Sequence, residues 1–150
     1  MLEVDDVRPR VLVLAGSRRV ALVATVIRTT LEARGVCAEL GDASRYPPPP
    51  ADYDAIMIGI AVGRRDRAIE TYLDCFRVAL DDVLTAVFFV GAGRKCERAL
   101  RGTDLRPPAF AAAAFATPTW PWQRWSLDTA RVARLVDDVV TALPEVRDAW

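Results

Sequence analysis

The stretch from Arg10 to Ile27 constrains the fold most strongly, because a buried-strand pattern runs through a short loop directly into an amphipathic helix. Residues 11–14 form a continuous apolar run of strand length, and apolar residues then recur at helical spacing, at Val20, Val23, Ala24, Ile27 and Leu31. A helix N-terminus after a strand offers free N–H groups and the positive end of the helix dipole. The sequence therefore predicts an anion-binding site in the intervening loop, formed by Gly16, Ser17, Arg18 and Arg19.

The same alternation of strand and helix patterns continues along the chain. Apolar runs predict strands over residues 36–40, 54–61, 85–90 and 110–115, and helical spacing predicts helices over residues 69–80, over residues 95–101, and after a cap at Ser126. The four prolines at 47–50 predict a stiff connector. Strands and helices in this order predict an α/β fold with a doubly wound, five-stranded parallel sheet of order 2-1-3-4-5 between two helical layers. We expect one domain over residues 1–150, with a single core.

Composition and charge exclude several classes of function. Twenty basic residues balance 20 acidic ones, so we expect no nucleic-acid partner. No apolar run has the length of a membrane span, and the acidic start of the chain is unlike a signal peptide, so we expect a cytoplasmic protein. The chain has no histidine, and its three cysteines have no metal-ligand spacing. We therefore predict no catalytic side chain and no metal site, and we expect any redox chemistry to come from a bound cofactor.

In a sheet of this order the ligand crevice lies at the carboxyl ends of strands one and three, where the strand order reverses. Its edges would be the loop at residues 16–19, residues 59–67 and residues 91–95. At each of these edges a purely structural role of the residues is also open. Gly91 and Gly93 could belong to a flexible loop that needs a positive φ. The basic run of Arg64, Arg65 and Arg67, which Asp66 dilutes, could contact a phosphate, a porphyrin carboxylate or an acidic partner, or could form a solvated face.

Tryptophans and cysteines are the other residues of interest. Trp120, Trp122 and Trp125 lie in a proline-containing loop, where they would cover either a ligand or partner or the core. Cys37 in a strand and Cys75 in a helix are predicted to act as small apolar residues. All three cysteines are predicted to be reduced thiols, and Cys96 is distinguished by its basic neighbours Arg94 and Lys95.

Four segments, in their order along the chain, carry a resemblance to a known family. They are Val11-Leu-Val-Leu; Tyr53-Asp-Ala-Ile-Met-Ile-Gly; Ile60-Ala-Val-Gly-Arg-Arg with Tyr72-Leu-Asp-Cys-Phe behind it; and Trp120-Pro-Trp-Gln-Arg-Trp. The chain resembles flavodoxin-domain proteins, nearest to the menaquinone-dependent protoporphyrinogen oxidase branch. The resemblance implies that FMN is bound and passes electrons to a quinone or a porphyrin-type substrate. It places the phosphate at Gly16, Ser17, Arg18 and Arg19, and the flavin ring near Ile60, Ala61, Val62, Gly63, Gly91, Ala92, Gly93, Trp120 and Trp122.

The first loop departs from the family pattern. Flavodoxins usually bind the phosphate with a Thr/Ser-x-Thr-Gly-x-Thr loop, whose last threonine falls on Val20 and whose glycine falls on Arg18. Only Ser17 supplies a hydroxyl between residues 15 and 21. Charge-assisted bonds from Arg18 and Arg19 would offset part of this loss, whereas two bulky side chains could equally block the pocket.

Two classes of function are consistent with these residues. One is a small FMN-dependent oxidoreductase or electron carrier, in which the flavin performs the redox chemistry. The other is a flavin-free flavodoxin-like domain, a pseudoenzyme that acts as a binding, scaffold or regulatory module. Its interaction surface would comprise residues 59–67 and the tryptophan loop from Trp120 to Trp125, which is also compatible with a homodimer. The colour of the purified protein distinguishes the two, since flavoproteins are yellow.

Overall fold

The computed structural model describes residues 8–63, 65–101, 111–117 and 125–143, in which five strands form one parallel sheet. The strands are β1 (Arg10–Ala15), β2 (Cys37–Asp42), β3 (Ala55–Ala61), β4 (Leu84–Ala92) and β5 (Ala111–Thr117). The helices are α1 (Arg18–Ala33), α2 (Arg67–Cys75), α3 (Arg77–Asp81), α4 (Gly93–Arg101) and α5 (Thr129–Ala142). The strand order is β2-β1-β3-β4-β5, which confirms the predicted order, and the fold is flavodoxin-like.

The central strands are buried on both faces because their side chains alternate between two cores. In β1, Val11 and Val13 pack into the core beneath α1 and α5, whereas Leu12 and Leu14 pack beneath α2 and α3. A smaller cluster on β4 and β5 packs against α4. The apolar runs that predicted these strands are therefore the product of two-sided burial in a three-layer domain.

The connection from β2 to β3 crosses the sheet with only a short 3-10 turn, Pro50–Asp52, and no α-helix. Pro50 is buried, and the Tyr72 hydroxyl donates a hydrogen bond to the carbonyl of Pro48 at 3.1 Å. The predicted stiff connector is thus hydrogen-bonded to α2, and it links β2 to β3 without an α-helix.

A polar network at the amino edge of the sheet joins β1, β2 and the start of β3. Tyr53 Oη donates to Glu39 Oε2 at 2.6 Å, and Arg10 Nη2 donates to Glu39 Oε1 at 2.9 Å. The Arg10 amide donates to Asp54 Oδ2 at 2.8 Å. The hydrogen bonds from Tyr53 and Arg10 lower the pKa of Glu39, and burial together with Glu39 raises the pKa of Tyr53 to about 12.

Two predicted helices differ from the structure. The pattern over residues 69–80 is divided at Phe76, whose backbone leaves the helical region at φ −114° and ψ 21° and separates α2 from α3. The last helix is capped by Asp128, whose Oδ1 accepts a hydrogen bond from the Arg131 amide at 3.0 Å, and not by Ser126. Aspartate and serine are comparable N-caps, so the residue type alone does not distinguish the two positions.

The glycines after the fourth predicted strand do not form a flexible loop. Gly91 and Ala92 are the last residues of β4, paired with Ala116 and Thr117, and Gly93 begins α4. The positive-φ glycines of the described residues are Gly35 and Gly63, so the interpretation that the glycines at 91 and 93 need a positive φ is wrong. Gly91 is instead required by a close approach, because a Cβ there would lie 2.8 Å from the carbonyl oxygen of Val62.

The cysteines have three different environments. Cys37 is partly buried in β2, and Cys96 is buried with its thiol donating to the carbonyl of Phe89 at 3.1 Å. Cys75 ends α2 and is exposed, so its predicted role as a small apolar residue is wrong. Among the helices that the structure describes, none combines the length and the apolar character needed to cross a bilayer.

Candidate functional site

The three predicted loops meet in one cleft of about 800 Å³ at the carboxyl edge of the sheet. The cleft lies between the β1–α1 loop, the β3–α2 loop and the end of β4. Nine of the predicted site residues line it, namely Gly16, Ser17, Arg18, Arg19, Ala61, Val62, Gly63, Gly91 and Ala92. Their assembly follows from the fold, because the carboxyl ends of parallel strands lie at the same edge.

The other predicted site residues lie elsewhere. Ile60 is half-buried and packs between the cores beneath α2 and α4, so its side chain supports the cleft from below. Gly93 begins α4 and does not line the cleft. Trp120 and Trp122 lie outside the described residues. Trp125 is half-buried against the core beneath α1 and α5, which corresponds to the core-capping interpretation of that residue.

The β1–α1 loop leaves the start of α1 without a cap. Ser17 precedes the helix in an extended conformation, its hydroxyl makes no capping hydrogen bond, and the first turn contains no acidic residue. Ser17 Oγ is buried and has no hydrogen-bond partner among the described residues. Arg18 and Arg19 follow it with exposed side chains. This end of the helix therefore retains the positive field and the free donors that favour an anion.

Val20, where the resemblance described above would place the last threonine of a flavodoxin loop, belongs to the core. It is fully buried, and its Cγ1 packs over the Cα of Gly59 in β3. A hydroxyl at this position would face apolar neighbours, and its burial would carry a desolvation cost. The first turn of α1 is therefore attached to the sheet by an apolar contact, and ligand contacts in this loop fall to Ser17, Arg18 and Arg19.

A carboxylate within the predicted cleft edge at residues 59–67, that of Asp66, lies against the same loop. A Cβ on Gly16 would be 2.6 Å from Asp66 Oδ1 and 3.0 Å from Oδ2, so only glycine allows this approach. Asp66 Oδ1 caps α2 by accepting from the Ile69 amide at 3.2 Å. Asp66 Oδ2 is buried and has no hydrogen-bond partner among the described residues. Asp66 therefore joins the first two loops of the cleft and brings a negative charge to it.

The second and third loops pack directly on one another. The Val62 amide donates to the carbonyl of Val90 at 2.8 Å. Gly63 has a φ of +90°, and the side chain of Lys95 covers it, with Nζ 3.8 Å from where a Cβ would be. These contacts join the β3–α2 loop and the end of β4 into one surface of backbone and small apolar groups that lines the cleft.

Cations predominate around the cleft. The exposed side chains of Arg18, Arg19, Arg65, Arg67 and Lys95 line it. Arg65 is paired with Glu70 at 3.0 Å, and Asp66 is the acidic residue of the lining. Arg65 and Arg67 of the predicted basic run thus lie at the cleft with solvated side chains, and Arg64 lies outside the described residues. The arrangement can hold an anionic ligand by charge-assisted hydrogen bonds.

Four residues of the lining lie outside the three predicted edges of the cleft, namely Val20, Ala68, Val90 and Thr117. Asp66 lies within the predicted edge at residues 59–67, but its contact with Gly16 joins segments that are distant along the chain and could not be predicted. Ala68 lies in the first turn of α2, where nothing in its spacing distinguishes it. Thr117 ends β5 two residues beyond the predicted strand, so its position at the carboxyl edge was not visible.

Comparison with solved structures shows the same fold in flavodoxins. A short-chain flavodoxin associated with a bacterial microcompartment matches with a TM-score of 0.62 and 14% identity, over 89% of this chain and 97% of its own. A flavodoxin from Streptococcus pneumoniae TIGR4 matches with a TM-score of 0.60 and 10% identity, over 88% and 97%. An archaeal flavodoxin matches with a TM-score of 0.57 and 15% identity, over 88% and 96%. No protein-family model and no curated protein matches the sequence.

These similarities establish a flavodoxin-like domain. At identities of 10–15%, they show the fold alone. A fold of this kind hosts several functions, so function has to be argued from the cleft itself.

Proposed function

We propose that the cleft binds FMN and that the protein is a flavodoxin-like electron carrier. The observation that carries this proposal is the convergence of the first three loops, with their cations, on one cleft at the point where the strand order reverses. When bound, FMN supplies the redox chemistry by accepting and releasing electrons. No side chain of the protein has to act as an acid or a base.

The residues present fit an FMN phosphate at the β1–α1 loop. The N-terminus of α1 has no side-chain cap, and Ser17 Oγ is buried without a partner among the described residues, so donors there are available. Arg18 and Arg19 are exposed at the same place and supply compensating positive charge. In this proposal they perform the task that hydroxyls perform in the family's usual loop.

The part of the cleft formed by the β3–α2 loop and the end of β4 fits the flavin ring. Ala61, Val62, Gly63 and Gly91 present backbone groups and small side chains, which allow a planar ring to approach closely. Lys95 beside Gly63 adds a cation to that part. As the finer form of the proposal, the electrons pass to a quinone or a porphyrin-type substrate, which rests on the sequence resemblance to the protoporphyrinogen oxidase branch.

A second candidate function is favoured by Val20 and Asp66. Val20 replaces a phosphate-binding hydroxyl with a core contact, and Asp66 brings a carboxylate to the loop. A domain that had lost its flavin would show both changes. Its cleft edge at residues 59–67 and the tryptophan loop at residues 120–125 would then serve as a surface for a protein partner or a second copy of the chain.

The decisive experiment is an absorption spectrum of the purified protein followed by an FMN titration monitored by flavin fluorescence. Flavin bands or saturable quenching support the electron carrier, and a colourless protein that does not bind FMN supports the flavin-free module. The paired change Arg18→Glu and Arg19→Glu should weaken FMN binding at least about 100-fold, since each charge-assisted bond contributes roughly 1.5–3 kcal/mol.

The matched control is the pair Arg77→Glu and Arg134→Glu. Both arginines are exposed, and neither lines the cleft. This pair makes the same change in net charge, so it should leave the FMN affinity close to that of the unmodified protein. Equal affinities in the two double variants would refute the role given to Arg18 and Arg19.

A further inference from the structure

We propose that Asp66 determines the ligand preference of the cleft, by opposing the phosphate of FMN so that riboflavin, which has no phosphate, binds about as well. This inference rests on the proposed flavin-binding function and deepens it. It makes Asp66 a specificity-determining residue that counteracts the cations of the β1–α1 loop.

The position of Asp66 is the first argument. Its two carboxylate oxygens lie 2.6 and 3.0 Å from where a Cβ on Gly16 would be, so the carboxyl group fills the space beside the loop. Asp66 and Gly16 line the same cleft as Ser17 and Arg18. Any phosphate bound at the start of α1 is therefore close to this carboxylate, and like charges in a partly buried site repel strongly.

The hydrogen-bonding capacity of the two buried oxygens is the second argument. Asp66 Oδ2 and Ser17 Oγ are both buried without a partner among the described residues. An ionised carboxylate only accepts hydrogen bonds, so the ligand group that satisfies Asp66 Oδ2 must be a donor. A dianionic phosphate offers acceptors alone, whereas the hydroxyls of the ribityl chain, common to riboflavin and FMN, can donate.

The anchoring of Asp66 is the third argument. Its Oδ1 caps α2 through the Ile69 amide at 3.2 Å, which fixes the carboxyl group against the loop. Asparagine is an equally good cap and has nearly the same shape. The change Asp66→Asn therefore removes the charge, keeps the cap, and adds an amide N–H that can donate to phosphate.

The test compares dissociation constants for FMN and riboflavin, measured by flavin fluorescence at pH 8, where the phosphate is a dianion, and at low salt. In the unmodified protein the two constants should agree within about threefold, whereas Asp66→Asn should bind FMN at least about tenfold more tightly with no gain for riboflavin. The matched control is Asp128→Asn, which changes the carboxylate cap of α5 and leaves the cleft lining unaltered. It should leave both constants unchanged.

Two other outcomes would refute the role of Asp66 alone or both proposals together. If FMN binds and the ratio of the two constants is the same in Asp66→Asn as in the unmodified protein, the role of Asp66 is refuted and the proposed function stands. If neither flavin binds to any variant, both are refuted. Thermal unfolding verifies that each variant is folded, and Asp66→Ser, which also caps without charge, replaces Asp66→Asn if the latter unfolds.

Discussion

Replacing Gly59 by alanine is predicted to destabilise the protein by overpacking the contact that holds α1 on the sheet. A Cβ at Gly59 would lie 2.5 Å from Phe88 Cζ and closer still to Val20 Cγ1. Both neighbours are fully buried. Gly59 has no positive φ, so the backbone of β3 accepts alanine and the effect is steric.

The expected cost is about 3 kcal/mol, since extra methyl groups in a packed core cost roughly 1–3 kcal/mol and neither neighbour here can move into open space. For a domain of this size, that is a fall of about 6–12 °C in Tm. Urea denaturation with an unchanged m value measures the difference. Gly93→Ala is the matched control, because the nearest atom to its new Cβ is Ala116 Cβ at 3.8 Å, and it should change stability by no more than about 0.5 kcal/mol.

Equal stabilities for Gly59→Ala and Gly93→Ala would refute the steric reasoning. The double variant Gly59→Ala with Val20→Ala provides an internal check, because removing Cγ1 relieves the closest contact and leaves that with Phe88. Its destabilisation should be smaller than the sum of the single effects by about 1 kcal/mol or more. Additive effects would mean that Gly59 and Val20 do not compete for the same space.

Three further predictions concern the rest of the domain. Tyr53→Phe removes the bond to Glu39 and should lower the free energy of unfolding by about 1 kcal/mol in urea denaturation at pH 7. The pKa of Tyr53 is raised to about 12 from its ordinary 10.0, so the stability that the Tyr53 hydroxyl contributes is complete below pH 10 and is lost as the pH rises through 12. Tyr53→Phe should abolish this pH-dependent loss. Asp128→Ala should cost about 1 kcal/mol and Ser126→Ala almost nothing, as thermal unfolding would show. A thiol reagent followed by mass spectrometry should leave Cys96, which is 1% exposed, unmodified until the protein unfolds.

The fold was predictable because two-sided burial leaves continuous apolar runs in the sequence. β3 has its first five residues buried, and the apolar stripe of α1 at residues 20, 23, 24, 27 and 31 is buried as predicted. Even β5, whose alanines have poor strand propensity, is a strand, because it pairs with β4 along its whole length. The position of the cleft then follows from the strand order alone.

The details of the cleft were not predictable, because they depend on contacts between segments distant in sequence. Gly91 suggested a flexible turn, but the structure requires glycine there because Val62 in the neighbouring loop leaves no space for a Cβ. Asp66 lay within the predicted cleft edge, but its cap of α2 and its contact with Gly16 could be seen only in the folded structure. Val20 belongs to the predicted apolar stripe of α1, but its close packing on Gly59 in β3 could be seen only in the folded structure.

Val20 and the arginines beside it together determine how the β1–α1 loop can recognise an anion. A cradle of hydroxyls and backbone donors is preorganised, because the groups are short and fixed by the fold. Here Val20 is buried in the core, and the available charge is on the long, exposed side chains of Arg18 and Arg19. Such side chains lose conformational entropy when they bind and are screened by salt over about 8 Å at physiological ionic strength. With Asp66 opposing them, the loop combines attraction and repulsion for a phosphate, so its selectivity depends on the balance of individual charges and not on the shape of the cradle.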